Sequence, residues 1–132
     1  DQPAMKSEGS ERVRQLGDNW VLCEGSGDMG GGPALTQMTL GYDPAKGHFV
    51  GTFIGSMMNH LWIYHRGALD AGQKSLALDA EGPAFDGPPG TMAQYRDVIE
   101  VVSRDERLLH AHVQRPDGQW TRFMTTRYTR IG

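Results

Sequence analysis

GTFIGSMMNHLWIYHRGAL, residues 51–69, is the stretch that decides the fold, because two runs with strand periodicity meet there at a methionine pair. In the first run, Gly51, Phe53 and Gly55 fall on one face of an extended chain. Polar and β-branched residues take the other face, and this period of two is typical of a strand. The glycines beside the aromatic ring indicate room for a neighbouring ring or a sharp bend in the sheet.

The second run is a strand with two different faces. His60, Trp62 and Tyr64 share one face, and Leu61 and Ile63 share the other. Rings with an apolar body and a polar tip suit the wall of a semi-polar cavity. The same rings also fill the core of an ordinary small barrel, and the sequence favours neither use. The methionine pair leaves a similar choice, in which core filling is favoured over an adaptable pocket wall.

Strand-like runs and turn signals alternate along the whole chain. About nine such runs cover residues 6–16, 20–26, 34–42, 48–56, 60–69, 74–81, 91–102, 107–114 and 120–129. No stretch of ten or more residues combines a helical period with helix caps. Consecutive strands with short turns form an antiparallel meander, and closing it into a barrel removes its edges. The prediction is an all-β fold, an antiparallel up-and-down β-barrel of about nine to ten strands.

Residues 82–90, GPAFDGPPG, hold three of the seven prolines. Proline lacks an N–H donor and fixes its own φ, so this stretch is neither helix nor central strand. We expect a long loop at one end of the barrel, with Phe85 as a lid.

Length, charge and composition bound the class of protein. A chain of 132 residues is expected to form one domain over residues 1–132. The formal charge is −3 without a basic stripe, so the electrostatic footprint of a nucleic-acid binder is missing. No apolar run is long enough to span a bilayer and no signal peptide is visible, so we expect no membrane partner and a cytoplasmic location. Cys23, the single cysteine, excludes an intramolecular disulfide and is expected to be small and buried.

The histidines raise the question of a metal or haem. His110 and His112 lie two apart on one strand face, where two imidazoles can chelate a metal. His60 or Glu100 would have to complete the set, so solvent-facing or lumen-lining roles are favoured and no metal is predicted. A single lumen histidine can instead ligate haem, as in barrels of the nitrobindin type. The haem candidates are His60, His65, His110 and His112, and haem remains the alternative to having no cofactor.

Acidic residues recur on the predicted strands and allow acid–base chemistry. Two carboxylates about 5–9 Å apart can act on a glycoside, and one raised pKa can mark a proton-transfer group. Arg96 and Asp97 face opposite sides of one strand, so each is expected to pair with a neighbouring strand. No G-x-S-x-G motif surrounds a serine, and no catalytic residue is assigned. The acidic candidates are Glu24, Asp79, Glu81, Asp97 and Glu100.

Residues 25–30, GSGDMG, match the pattern G-x-G-x-x-G after a predicted strand. A dinucleotide site requires a helix to begin next, because the helix N-terminus faces the pyrophosphate. Two glycines, a proline and another strand follow instead, so a nucleotide site is rejected.

Four long runs carry a family resemblance: MTLGYDPAKGHFVGTFIGSMMNHLWIY, LDAEGPAF, YRDVIE and FMTTRY. With them the chain resembles the DUF1579 family, bacterial proteins of unestablished molecular function, over nearly its whole length. The resemblance implies a calycin/lipocalin-like barrel, related in shape to fatty-acid-binding proteins. Family members carry one more segment with a strand ahead of the position of Asp1, so we expect a barrel that is open at one edge or closed by a partner chain. The family brings no catalytic residues.

These observations together predict a protein that holds a small, partly apolar ligand in the barrel lumen. The alternative is an enzyme that uses the same cavity, with bound haem or with a carboxylate–histidine pair for acid–base chemistry. A third option is a structural barrel with a filled core and an interaction surface, such as that of a homodimer. The predicted ligand-binding residues are Met57, His60, Trp62, Tyr64, Glu81, Asp97, His112 and Met124.

Overall fold

The computed structural model describes residues 5–28, 32–72, 74–85 and 87–131, and these form strands with short connections. The strands are β1 (Met5–Leu16), β2 (Trp20–Asp28), β3 (Pro33–Asp43), β4 (His48–Gly55), β5 (Trp62–Leu69), β6 (Ser75–Pro83), β7 (Met92–Ser103), β8 (Glu106–Gln114) and β9 (Trp120–Arg130). No helix in the described part of the chain is long and apolar enough to cross a membrane. Residues 29–31, between β2 and β3, lie outside the described residues, and they include the end of the rejected G-x-G-x-x-G pattern.

Each strand pairs antiparallel with the next one, and β1 and β9 close the sheet into a barrel. In an up-and-down meander the strand direction alternates, so with an odd number of strands, here nine, the first and last strands run in the same direction. Accordingly β1 and β9 pair in parallel, from Met5 beside Met124 to Glu11 beside Arg130. The predicted all-β barrel is confirmed. The expectation of an edge left open or closed by a partner chain is wrong, because the described strands close the barrel themselves.

The barrel core follows from the period of two in each strand, since alternate side chains point to opposite faces of a sheet. Tyr64 and Leu78 are almost completely buried at the centre, at 1% and 0% exposure. The buried apolar cluster comprises Cys23, Met38, Phe53, Tyr64, Leu78, Ala80, Ile99, Leu109 and Tyr128.

Two glycines make room for tryptophan rings on the sheet. A Cβ on Gly82 would lie 2.1 Å from the Trp62 ring, and one on Gly41 would lie 2.2 Å from the Trp20 ring. Any side chain at these positions would displace the ring, so the indole of Trp62 lies directly against the backbone of β6. This contact fixes one wall of the cavity described below.

The barrel has two different ends. Connections 56–61, 84–91 and 115–119 gather at one end, which we call the mouth. Tight turns such as 17–19, 44–47 and 104–105 gather at the other, which we call the far end. The long loop predicted over residues 82–90 lies at the mouth and carries Phe85, but its first two residues were predicted wrongly, because Gly82 and Pro83 end β6 and pair with Ala93 and Met92 of β7.

Near the far end the interior holds a buried ion pair between β1 and β8, the two strands on either side of β9. Both Nε and Nη2 of Arg107 donate to the carboxylate of Glu11, and the guanidinium lies 4.7 Å from the Tyr128 ring centroid. Nη1 of Arg107 is buried and has no hydrogen-bond partner among the described residues. Cys23 is buried nearby, as predicted, and burial together with Glu11 raises the pKa of its thiol to about 11.

Candidate functional site

A cavity of about 560 Å³ enters the barrel from the mouth. Its volume lies within the range of small-molecule sites, about 300–1,000 Å³. Most of the wall is apolar or aromatic, and the principal wall residues are Phe53, Met58, Trp62, Leu109, Phe123 and Met124. Asp97 is the only carboxylate among the described residues that line the cavity.

The polar floor of the cavity is a hydrogen-bonded pair. Tyr64 on β5 donates its hydroxyl hydrogen to Oδ2 of Asp97 on β7, with 2.5 Å between the oxygens. β6 lies between these two strands in the sheet, so the bond crosses the barrel interior. Oδ1 of Asp97 has no hydrogen-bond partner among the described residues, and Asp97 is partly exposed to the cavity that it lines. The floor therefore presents one open acceptor oxygen.

The charge state of this floor follows from desolvation. Burial raises the pKa of Asp97 from 3.8 to about 6, although the hydrogen bond from Tyr64 lowers it. Burial and the neighbouring carboxylate together raise the pKa of Tyr64 well above its ordinary value. At pH 7 Asp97 is therefore mainly a carboxylate and Tyr64 a neutral donor. No arginine, lysine or histidine of the described chain forms an ion pair with Asp97.

Aromatic rings form a continuous edge-to-face chain from the mouth to the cavity wall. Ring centroids are 4.7 Å apart for His60 and Trp62, and 4.9 Å apart for Trp62 and Tyr95. Phe85 continues the chain, 5.8 Å from Tyr95 and 4.9 Å from Phe123. The Tyr95 hydroxyl donates to the carbonyl of Pro83 at 2.5 Å, which ties β7 to the start of the mouth loop. These contacts hold the wall rings in fixed orientations.

A β-bulge supplies two adjacent side chains to the same cavity. The register between β8 and β9 shifts at Ala111 and His112, where Ala111 opposes Met124 and His112 opposes Arg122. Phe123 is the extra residue, and both Phe123 and Met124 line the cavity. Bulges re-aim side chains in this way at the rims of barrels.

Five of the predicted ligand-binding residues line the cavity: Met57, His60, Trp62, Asp97 and Met124. Tyr64 lies beneath the floor and reaches the cavity through its bond to Asp97. Met57 is 48% exposed and stands at the rim, where Nε2 of His60 lies 3.3 Å from the carbonyl oxygen of Glu81. A ligand-binding role for these residues remains a prediction.

Glu81 and His112 do not line the cavity, contrary to their predicted position. On β6 the buried residues are Leu78, Ala80 and Gly82, so Glu81 points outward and accepts from the Gln94 amide at 3.2 Å. On β8, Leu109 faces the interior, and His112 lies on the outer face with Nδ1 3.2 Å from the Arg96 carbonyl. Alternation predicts the correct strand for both residues, but the side chains of Glu81 and His112 lie on the outer faces of β6 and β8.

The two strand histidines do not form a metal site. The ring of His110 bonds to Glu100 through Nε2 and to Thr125 through Nδ1, each at 2.9 Å. This carboxylate–histidine pair lies on the outer face of the barrel, away from the cavity. In the described residues no group of three or more His, Cys, Asp or Glu side chains is arranged to hold a metal ion. The expected neighbour-strand pairing of Arg96 is confirmed, with Asp79 2.6 Å away on β6. The same expectation for Asp97 is wrong, because its hydrogen bond reaches Tyr64 on β5, two strands away.

The comparison with known families agrees with this architecture. A family model described as a protein of unknown function, DUF1579, matches residues 1–130. The chain belongs to the DUF1579 family. No curated protein and no solved structure matches it. The closed barrel of this DUF1579 protein is consistent with a calycin/lipocalin-like fold.

The cavity of the DUF1579 barrel fits a haem poorly. Proximal ligation needs a histidine nitrogen with a free lone pair directed at the iron. Among the described lining residues the one histidine is His60, which stands at the rim, and the contact of its Nε2 with the Glu81 carbonyl leaves Nδ1 as the nitrogen with a free lone pair. His65, His110 and His112 do not line the cavity. A porphyrin in the cavity would also bury the Asp97 carboxylate, which has no ion-pair partner among the described residues. We therefore derive no chemistry through haem.

Among the wall residues of the DUF1579 cavity that were not predicted from the sequence are Tyr95 and Phe123. Tyr95 shares its strand face with Asp97, so the period of two was sufficient to find it. Phe123 stands next to Met124, and strict alternation would place those two on opposite faces. Only the bulge brings both inward, and nothing in the sequence marks it.

Proposed function

We propose that this protein binds a small, partly apolar molecule in the barrel cavity. The observation that carries the proposal is the combination of an apolar cavity of about 560 Å³ with a single open polar group at its floor. Small-molecule sites have this composition, since apolar walls supply binding energy and few polar groups fix orientation. A structural barrel with a filled core would not need an unpaired carboxylate inside.

A neutral, solvent-sensitive dye such as Nile red tests the proposal. We expect saturable fluorescence enhancement with a Kd on the order of micromolar, which corresponds to about 8 kcal/mol of binding free energy. Leu109→Trp would place an indole in the cavity and should weaken dye binding at least about tenfold. Native mass spectrometry of the purified protein would show, in addition, any small molecule retained from the cell.

Leu35→Trp is the matched control, since Leu35 is 66% exposed on β3 and the same substitution there leaves the cavity intact. It should bind dye as the wild type does. Absence of saturable binding by the wild type overturns the proposal. Equal dye binding by wild type and Leu109→Trp, with both variants folded by circular dichroism, places the dye on the surface and overturns it too.

A second candidate is an acid–base enzyme that uses the same cavity. The observation in its favour is the raised pKa of Asp97, about 6, because a carboxyl group poised near neutrality can transfer protons. No histidine is hydrogen-bonded to Asp97 in the described residues, so the predicted inward carboxylate–histidine pair is not formed. In an enzyme, Asp97→Asn should abolish turnover and preserve ligand binding.

A further inference from the structure

We propose that the ligand is an organic ammonium ion whose charged nitrogen binds Oδ1 of Asp97 and whose apolar body lies among the wall rings. This inference rests on the proposed function and names the ligand class of the same cavity. It starts from a carboxylate with no cationic partner in the described protein, placed inside an apolar cavity.

A buried carboxylate without a counter-ion is costly, because protein atoms replace the water that solvated its charge. Tyr64 donates one hydrogen bond to Oδ2 and leaves Oδ1 open. The cation Arg107 is also buried in the barrel, but it is bound to the carboxylate of Glu11. A ligand that brings its own positive charge would complete the pair at the floor, which a neutral ligand cannot do.

The cavity walls also favour a positively charged ligand. Aromatic faces attract cations through the negative potential above the ring, most strongly for tryptophan. Trp62, Tyr95 and Phe123 line the cavity together with Asp97, and no lysine or arginine is among the described lining residues. The hydroxyl hydrogens of Tyr64 and Tyr95 are donated to Asp97 and to the Pro83 carbonyl. The inner cavity therefore offers an acceptor and aromatic rings to a ligand that donates.

Three probes of similar size and different charge test this inference: 4-phenylbutylamine, 4-phenylbutanol and 4-phenylbutyrate, titrated by calorimetry at pH 7.5. We expect the amine to bind at least about tenfold more tightly than the alcohol, and the carboxylate to bind most weakly. Asp97→Asn keeps the shape and still accepts the Tyr64 hydrogen bond. It should remove the preference for the amine and change alcohol affinity less than about threefold.

Glu81→Gln is the control for loss of a nearby negative charge, since Glu81 is an exposed carboxylate on the outer face of β6. It should leave all three affinities unchanged. Equal binding of amine and alcohol by the wild type, or an amine preference that survives in Asp97→Asn, overturns the inference and leaves the proposed function intact. Failure of all three probes together with failure of the dye overturns both.

The pH profile provides a second readout. Amine affinity should fall as acidification protonates Asp97, while alcohol affinity should change little. The ionisable groups around the floor are Tyr64 on β5, Tyr95 on β7, Arg107 on β8, Tyr128 on β9 and His60 at the rim. His60 is the one histidine among the described lining residues, so the profile is measured in parallel with His60→Gln. We expect amine affinity to fall on acidification in His60→Gln as it does in the wild type, and not to fall in Asp97→Asn. A fall that is lost in His60→Gln and persists in Asp97→Asn overturns the inference.

Discussion

Asp97 holds its proton more tightly in the folded protein than in the unfolded chain, so the free energy of unfolding should depend on pH. The pKa of Asp97 is about 6 in the fold, against an ordinary value of 3.8. Between these two values the folded state binds more protons, so stability rises as the pH falls. The stabilisation is fully present below about pH 4 and is lost as the pH rises through about 6.

The test compares thermal or urea unfolding of the wild type and Asp97→Asn from pH 4 to pH 7.5. The variant has no titrating group at this position, so contributions of all other carboxylates cancel in the difference. We expect the wild type to gain roughly 1–3 kcal/mol relative to the variant between pH 7 and pH 4. Stability curves that run parallel across this window would show that Asp97 is not desolvated.

At the scale of the element, the packing of β6 against Trp62 of β5 depends on the absence of a side chain at Gly82. Gly82→Ala would place a methyl group 2.1 Å from the Trp62 ring, which must then move into the cavity. We expect a loss of about 1–3 kcal/mol in unfolding free energy, typical of overpacking, and a shifted indole N–H resonance of Trp62. Weaker dye binding should follow, because the displaced ring occupies cavity volume.

Gly72→Ala serves as its control in an exposed turn, where the nearest atom to the new Cβ is an Asp70 carboxylate oxygen at 4.0 Å. Its free energy of unfolding should stay within about 0.5 kcal/mol of the wild type. An equal cost at both positions would mean that the Trp62 contact is not the cause.

The strands were predictable because alternation, turn glycines and prolines act locally. Asp43-Pro44-Ala45-Lys46-Gly47 shows this: backbone N–H groups of Ala45 and Lys46 donate to the Asp43 carboxylate, and Gly47 has a φ of +75°. Which face is interior depends on curvature and on distant partners. The prediction of an inward His112 is wrong, and the apolar Leu109 and Ala111 on the opposite face of β8 are the buried residues.

The candidate site shows the same division between local and distant information. Asp97 and Tyr64 are 33 positions apart in the chain, and the curvature of the sheet across β5, β6 and β7 brings the two side chains together. The bulge at Phe123 arises from the competing registers of two strands, so β9 alone does not reveal it. The cavity face of β5 was readable because its rings alternate cleanly with aliphatic residues.

At the scale of the whole molecule, the contacts that close the barrel at β1 and β9 should form late in folding. Glu11 and Arg107 lie 96 positions apart, so their contact requires most of the chain to be ordered first. Removing one partner, as in Glu11→Leu, leaves a buried unpaired charge and should cost about 3–5 kcal/mol. The loss should appear mainly as faster unfolding, with the refolding rate changed less than about threefold.

A chevron analysis tests this, with the double variant Glu11→Leu/Arg107→Met expected to recover much of the single-variant loss. Glu24→Gln is the comparison, because the Glu24–Arg14 pair on the outer face is 47% and 60% exposed and should contribute under about 1 kcal/mol. A refolding rate that drops in proportion to the stability loss would place closure in the transition state instead.

The parallel pairing of β1 with β9 has a practical consequence for tethering the protein. β1 starts beside Met124, at the mouth, whereas β9 finishes beside Glu11, about 20 Å further along the barrel at some 3.3 Å per residue. A fluorophore or affinity handle joined ahead of β1 would hang over the entrance. An affinity handle joined after β9 would attach the far end of the barrel to a sensor chip, so that the mouth would face the solution. A circular permutant would likewise need a bridge that runs the height of the barrel.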